Sequence, residues 1–122
     1  MKRRASILII EDDREAGNMP TAHLATFGYF DTMLANSGAG AIAVVKDFDP
    51  DVILLDAHLP DVDGRDLCRL LRKRGVEAPV ILIAGAATDA DIILGLDAGA
   101  NDYLIRPFGL GVLLARIRVQ LR

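Results

Sequence analysis

The chain is short of cysteine, of aromatic residues, of basic charge and of long apolar runs, and each shortage removes a class of protein. Its one cysteine, Cys68, sits among Leu67, Leu70 and Leu71, where a free thiol reads as a small apolar residue of a reducing compartment rather than as a nucleophile. A net charge of −3 gives no basic footprint, so direct nucleic-acid contact by this domain is not expected. The basic start, Met1-Lys2-Arg3-Arg4, leads into an apolar run that ends at Glu11. That run is too brief for a signal peptide or a membrane span, so the expectation is a cytoplasmic protein with no membrane contact.

What is present suits one compact domain, taken here as residues 1–122. The hydrophobic fraction is 52% and the charged fraction 25%, which is ordinary globular usage with no sign of disorder. Five short β-branched or leucine-rich runs read as strands: Ile7 to Ile10, Tyr29 to Leu34, Val52 to Leu55, Val80 to Ile83 and Tyr103 to Ile105. The first, third and fourth are apolar at consecutive positions, as strands are when helices cover both faces of a parallel sheet. Helical spacing joins Ile42 with Val45, then Leu67 with Leu70 and Leu71, then Leu110, Leu113, Leu114, Ile117 and Leu121. Strict β-α alternation predicts a doubly wound α/β fold. Gly28, Asp49-Pro50, Gly75 and Gly99 supply the helix ends. Gly17 and Pro20 oppose an early start to the first helix, which points to an irregular stretch from Arg14 to Met19, Asn18 as cap and Pro20 in the first turn.

Loops leaving the carboxyl ends of parallel strands converge on one crevice, where ligands bind. There the first strand ends in Glu11-Asp12-Asp13, the third in Asp56, the fourth in Ala84-Gly85 and the fifth in Arg106-Pro107. Carboxylates about 4 Å apart repel by roughly 1–4 kcal/mol, so acids gathered from two adjacent strands call for a divalent cation, and all-oxygen ligands suit Mg²⁺. An aspartate so placed can attack a phosphoryl donor while Arg106 contacts the transferring oxygens. Taken singly, Asp56 is also compatible with a solvated turn, and Asp13 is better read as complementing a helix amino end.

The blocks Ile7-Leu8-Ile9-Ile10-Glu11-Asp12-Asp13, Asp51 to Gly64, Gly95 to Leu104 and Arg106-Pro107-Phe108 together resemble the receiver domains of two-component response regulators over essentially the whole length. The resemblance implies a five-stranded flavodoxin-like (βα)5 fold with strand order 2-1-3-4-5. It implies Asp56 as phosphoacceptor for a sensor histidine kinase, and Glu11 and Asp12 as the acidic pair that helps bind Mg²⁺. His58 would give that ion its backbone carbonyl, with a side-chain ligand as the alternative reading, while His23 reads as a surface residue. Tyr103 matches the switch aromatic, and ordinary strand packing remains the other reading. Two positions depart from the family. Ala84 stands where Thr or Ser supplies a hydroxyl, and Arg106 stands for Lys, which keeps the charge and changes the donor geometry. The family's cis peptide implies a cis Arg106-Pro107 bond.

The stretch from Leu113 to Arg118 is most similar to OmpR/PhoB-type regulators, whose receivers precede a winged-helix DNA-binding domain; that output domain is expected outside this chain. The resemblance further implies a homodimer through the fourth expected helix, the fifth strand and the fifth expected helix. Across its two-fold axis Asp97 would meet Arg118 and Asp102 would meet Arg116, while Ile92 and Val112 replace a third charged pair. A flavodoxin-like small-molecule binder is excluded by the three acids after the first strand, where a phosphate loop needs Gly, Ser or Thr. A metal-dependent phosphatase would need a covering domain or long loops, and every connection is short. No enzymatic activity is expected beyond transfer of a phosphoryl group to the chain itself. The competing reading is a pseudo-receiver that dimerises independently of phosphate.

Overall fold

The computed structural model describes residues 4–12, 23–24 and 30–122. The expectations for Asp13, the Arg14 to Met19 stretch, Asn18, Pro20 and Gly28 fall outside these residues. Five strands, Ala5–Ile10 (β1), Phe30–Ala35 (β2), Val52–Asp56 (β3), Val80–Ala84 (β4) and Asp102–Ile105 (β5), form one parallel sheet in the order 2-1-3-4-5. The described helices are Gly38–Phe48 (α1), Gly64–Lys73 (α2), Asp89–Asp97 (α3) and Leu110–Gln120 (α4). Architecture and strand order agree with the sequence reading.

Successive strand residues point to opposite faces, so the apolar runs divide into two cores. Leu8, Ile10, Ile53, Leu55 and Leu82 pack with Ala41 and Val45 of α1 and with Leu67 and Leu71 of α2. On the other face Ile7, Ile9, Val52, Leu54, Ile81 and Ile83 pack with Leu113 and Ile117 of α4. At roughly 1.5–3 kcal/mol for each fully buried Leu, Ile or Val, these two layers are the main source of stability. Cys68 lies inside the first of them, where burial pushes its thiol above the ordinary range. It is a packing residue, as the sequence indicated.

Helix boundaries are set by caps. The Ser37 side chain accepts from the Gly40 N–H at the start of α1, and Asp63 does the same for Arg65 at the start of α2. Thr88 and Asp91 form a reciprocal capping box at the start of α3. The predicted ends are also in place, with left-handed backbone at Asp49, Gly75 and Gly99. Arg72 then ties α2 to its surroundings. Its Nε and Nη2 donate to the Gly99 carbonyl, its Nη1 to the Val76 and Ala78 carbonyls, and its Nη2 also to Asn101 Oδ1.

Candidate functional site

Period-2 alternation continued past the strand ends puts Glu11, Asp56 and Arg106 on one side of the sheet. Ile9, Leu54 and Leu104, two residues earlier in each case, share one core. Both acids are buried, Glu11 being 4% and Asp56 3% exposed. Arg106 Nη2 donates to Asp56 Oδ2 at 3.0 Å, and the His58 N–H donates to Asp56 Oδ1 at 2.9 Å. Each carboxylate oxygen is thus held by a different donor. The Arg106 N–H meanwhile donates to the Ala84 carbonyl at 2.8 Å, which extends the β4–β5 pairing to the residue that carries the guanidinium. The Arg106-Pro107 peptide is cis.

The approach of α2 fixes the loop beyond Asp56. Gly64 N–H donates to the Ala57 carbonyl, and a Cβ at Gly64 would lie 2.5 Å from the Asp56 carbonyl oxygen and 2.7 Å from Ala57 Cα. No residue with a side chain fits between the helix start and the strand end without moving backbone. Asp61, in the same loop, accepts from the Gly38 and Ala39 N–H groups at 2.8 and 3.0 Å and so holds the loop to the start of α1. Those backbone bonds, from Gly38 first, keep the Asp61 carboxyl below the usual range.

Ala84 is fully buried at the end of β4, and its methyl brings no hydroxyl to the site. Asp12 is partly exposed, and among the described residues no group of three or more His, Cys, Asp and Glu side chains gathers closely enough to hold a metal ion. The donor chemistry fits Mg²⁺, since Glu11 and Asp56 bring buried carboxylate oxygens to the strand ends. His58 is exposed, and it reaches Asp56 through its backbone N–H.

Tyr103 is half-buried, with its ring against the backbone of α3. A Cβ on Gly95 would lie 2.9 Å from Tyr103 Cε2 and 2.8 Å from Leu82 Cδ1, so a glycine is required for the helix to approach. The ring lines a cavity of about 50 Å³ together with Ala57, His58, Asp63, Arg65, Ala86 and Asp91. Burial first, then the Asp91 charge, raises the Tyr103 phenol above its ordinary range. A larger cavity of about 610 Å³ lies between the carboxyl ends of α1 and α2, at the opposite end of the sheet from Asp56.

Residues 7–118 match the model of the response regulator receiver domain. The chain belongs to that family. The receiver is 39% identical over 120 residues to the DNA-binding response regulator MtrA of Mycobacterium tuberculosis, covering 98% of this chain and 51% of that protein. With the response regulator MprA of Mycobacterium leprae it shares 40% over 116 residues, covering 95% and 50%. It thus spans about half the length of the curated relatives it matches. Among solved structures, the BeF3-activated receiver domain of Klebsiella pneumoniae RstA matches with a TM-score of 0.85 and 38% identity, covering 96% of this chain and 98% of that one. A CheY-like receiver domain protein from Methanospirillum hungatei matches with a TM-score of 0.86 and 26% identity, covering 98% and 94%.

The receiver's other predicted residues lie on α3, β5 and α4. Asp102 and Arg116 pair within the chain, at 3.5 Å between Oδ2 and Nη1, although the resemblance implied a pair across a two-fold axis. Asp97 and Arg118 are exposed, Ile92 is half-buried and Val112 is 48% exposed. Ile93, Leu96 and Ile105 add exposed apolar surface on the same elements. Sequence reasoning singled out none of Asp61, Asp63, Arg65 and Arg72. For Asp63 a signal existed, since an Asp directly before a helical apolar pattern is a cap. The partners of the other three lie 2 to 29 residues away, and no single period collects them. Among the described residues, no helix is long and apolar enough to cross a membrane.

Proposed function

We propose that this receiver takes a phosphoryl group from a sensor histidine kinase onto Asp56, and that the modification controls homodimerisation of a cytoplasmic transcription regulator of OmpR/PhoB type. One observation carries the reading: a carboxylate buried at the end of β3, with one oxygen on Arg106 Nη2 and the other on the His58 N–H. Similarity to DNA-binding response regulators roughly twice as long supports an output domain working beside residues 1–122. A phosphorylated histidine on the kinase is the donor. An Asp56 oxygen forms a bond to phosphorus as the phosphorus–nitrogen bond breaks, and the electron pair leaves with the imidazole. Arg106, already aligned on Oδ2, offers its fork to the oxygens of the arriving group, as a lysine ammonium cannot. Glu11, Asp12, Asp56 and the His58 carbonyl would hold Mg²⁺, which supplies neutralisation of charge on the phosphoryl oxygens.

Incubation with a small acyl phosphate and Mg²⁺, followed by intact-mass measurement, tests the assignment. One added phosphoryl group is expected on the wild type and none on Asp56→Asn; equal labelling of both excludes Asp56 as acceptor. The second reading, a dimerisation module indifferent to phosphate, is favoured by Ala84, which is buried and brings no hydroxyl. Sedimentation with and without the donor separates the two. A dimer fraction that rises with labelling supports the switch, and an unchanged fraction supports the module.

A further inference from the structure

We propose that Arg65 is a positioning residue that couples the Asp56 site to α3 along the β3 side of the crevice. The inference rests on the reading of Asp56 as phosphoacceptor. The chain of contacts begins at Asp56 Oδ1, which accepts the His58 N–H at 2.9 Å. His58 in turn bridges to Asp63 in a one-residue antiparallel pairing, so the loop after β3 folds back on the start of α2. Asp63 caps that helix by accepting from the Arg65 N–H at 2.8 Å, and both its oxygens take the Arg65 guanidinium, Oδ1 from Nε and Oδ2 from Nη2, at 3.3 Å. The remaining arm of the fork reaches the next helix. Arg65 Nη1 stands 4.0 Å from Asp91 Oδ1, and Asp91 is the residue whose side chain closes the capping box of α3 on the Thr88 N–H.

Three features give this link its leverage. Within α3, Gly95 alone is buried, so the helix is lightly held and a single tether at its amino end weighs more than it would on a deeply packed helix. Tyr103 shares the small cavity with His58, Asp63, Arg65 and Asp91, so displacement of the guanidinium changes the surroundings of the ring as well. Lastly, a hydroxyl from the end of β4 is not available at Ala84, whereas the β3-side contacts are complete. A phosphoryl group on Asp56 alters the acceptor of the His58 N–H, and the shift passes through Asp63 and Arg65 to Asp91. The pair is partly exposed, so its strength corresponds to roughly a two- to fivefold bias between two positions of α3.

The test is amide hydrogen exchange of residues 88–97, with and without the acyl phosphate donor, in wild type, Arg65→Gln, Asp91→Asn and the double variant. Labelling of Asp56 is followed by mass in the same samples. Wild type is expected to show a donor-dependent change in exchange over the first turn of α3, and each single variant to lose at least half of it. The double variant should lose no more than the singles. A merely structural role would shift exchange equally with and without donor and leave the difference intact. Full labelling with an unaltered donor-dependent change in Arg65→Gln overturns the coupling and leaves the acceptor assignment standing. Absence of labelling in the wild type overturns both.

Discussion

Removing the Arg106 guanidinium, as in Arg106→Met, should destabilise the unmodified receiver, and replacing Asp56 by Asn in that background should restore part of the loss. A unit pair at 3.0 Å attracts by about 5–6 kcal/mol at an effective dielectric near 20. Burial of both groups offsets much of this, yet loss of one partner leaves the other to bear its own desolvation, at about 3–5 kcal/mol for a fully buried pair. The Asp56 side chain is 2% exposed and that of Arg106 19%, so a value of about 2–4 kcal/mol is expected after allowance for screening on the arginine side. For a chain of this length each kcal/mol lowers Tm by roughly 3–5 °C, which makes the loss about 6–20 °C. Asp56→Asn alone should cost less, because Arg106 is the more exposed partner and can turn toward water. Urea denaturation of the two single variants and the double variant gives the coupling energy directly. If Arg106→Met costs under about 1 kcal/mol, or if the double variant is the least stable of the three, Asp56 and Arg106 are not the coupled pair that the geometry indicates.

Gly64→Ala should cost about 1–3 kcal/mol and slow phosphoryl transfer, since its Cβ would overlap backbone at Asp56 and Ala57; thermal melts and labelling rates measured together check this. Arg72→Met should lower stability by about 2–4 kcal/mol in urea without changing the extent of labelling, because its five donor contacts join α2 to Val76, Ala78, Gly99 and Asn101, away from Asp56. Asp61, Asp63 and Asp91 all have carboxyls held below the ordinary range, so the unfolded chain takes up protons first and stability falls as pH drops below about 4. Acid titration should show Asp61→Asn less sensitive in that window than wild type. Dimerisation should resist salt, because an apolar Ile92 and Val112 stand where a charged pair is implied; a dimer dispersed by added salt, or one untouched by Ile92→Glu, would count against that surface.

The fold was legible because burial on both faces writes itself as consecutive apolar residues. Ile7 to Ile10, Val52 to Leu55 and Val80 to Ile83 needed no partner information to be read as central strands. Glu11, Asp56 and Arg106 were legible for a related reason: each follows directly on an apolar run, so strand period alone assigns its side. What did not show is contact between elements. Asp61 serves a helix that began 23 residues earlier, and Arg65 reaches an acid on another helix. Neither distance in sequence is a period of anything. Asp102 and Arg116 show the converse failure, because a chain pattern names two complementary charges without saying whether they meet within one copy or between two. Burial also modifies how such residues behave: it raises the Asp63 carboxyl, yet the hydrogen bonds from Arg65 prevail and keep it low.

Charge balance connects the unusual residues of the site. Glu11 and Asp56 are both buried, and Arg106 is the cation seen on Asp56. Converting a carboxylate to an acyl phosphate adds about one further negative charge at neutral pH, together with new acceptor oxygens. The added charge needs donors as well as a counter-ion, and Ala84 contributes neither. A lysine at position 106 would deliver its charge as a single point, whereas the arginine fork can keep one nitrogen on Asp56 and direct another to a phosphoryl oxygen. On the reading of Asp56 as phosphoacceptor, the Arg106 fork supplies donors that Ala84 does not, within the same crevice. That supply of donors is electrostatic and local to Asp56. On the coupling proposed above, a phosphoryl group on Asp56 reaches α3 through the β3-side contacts, where His58, Asp63, Arg65 and Asp91 stand in sequence.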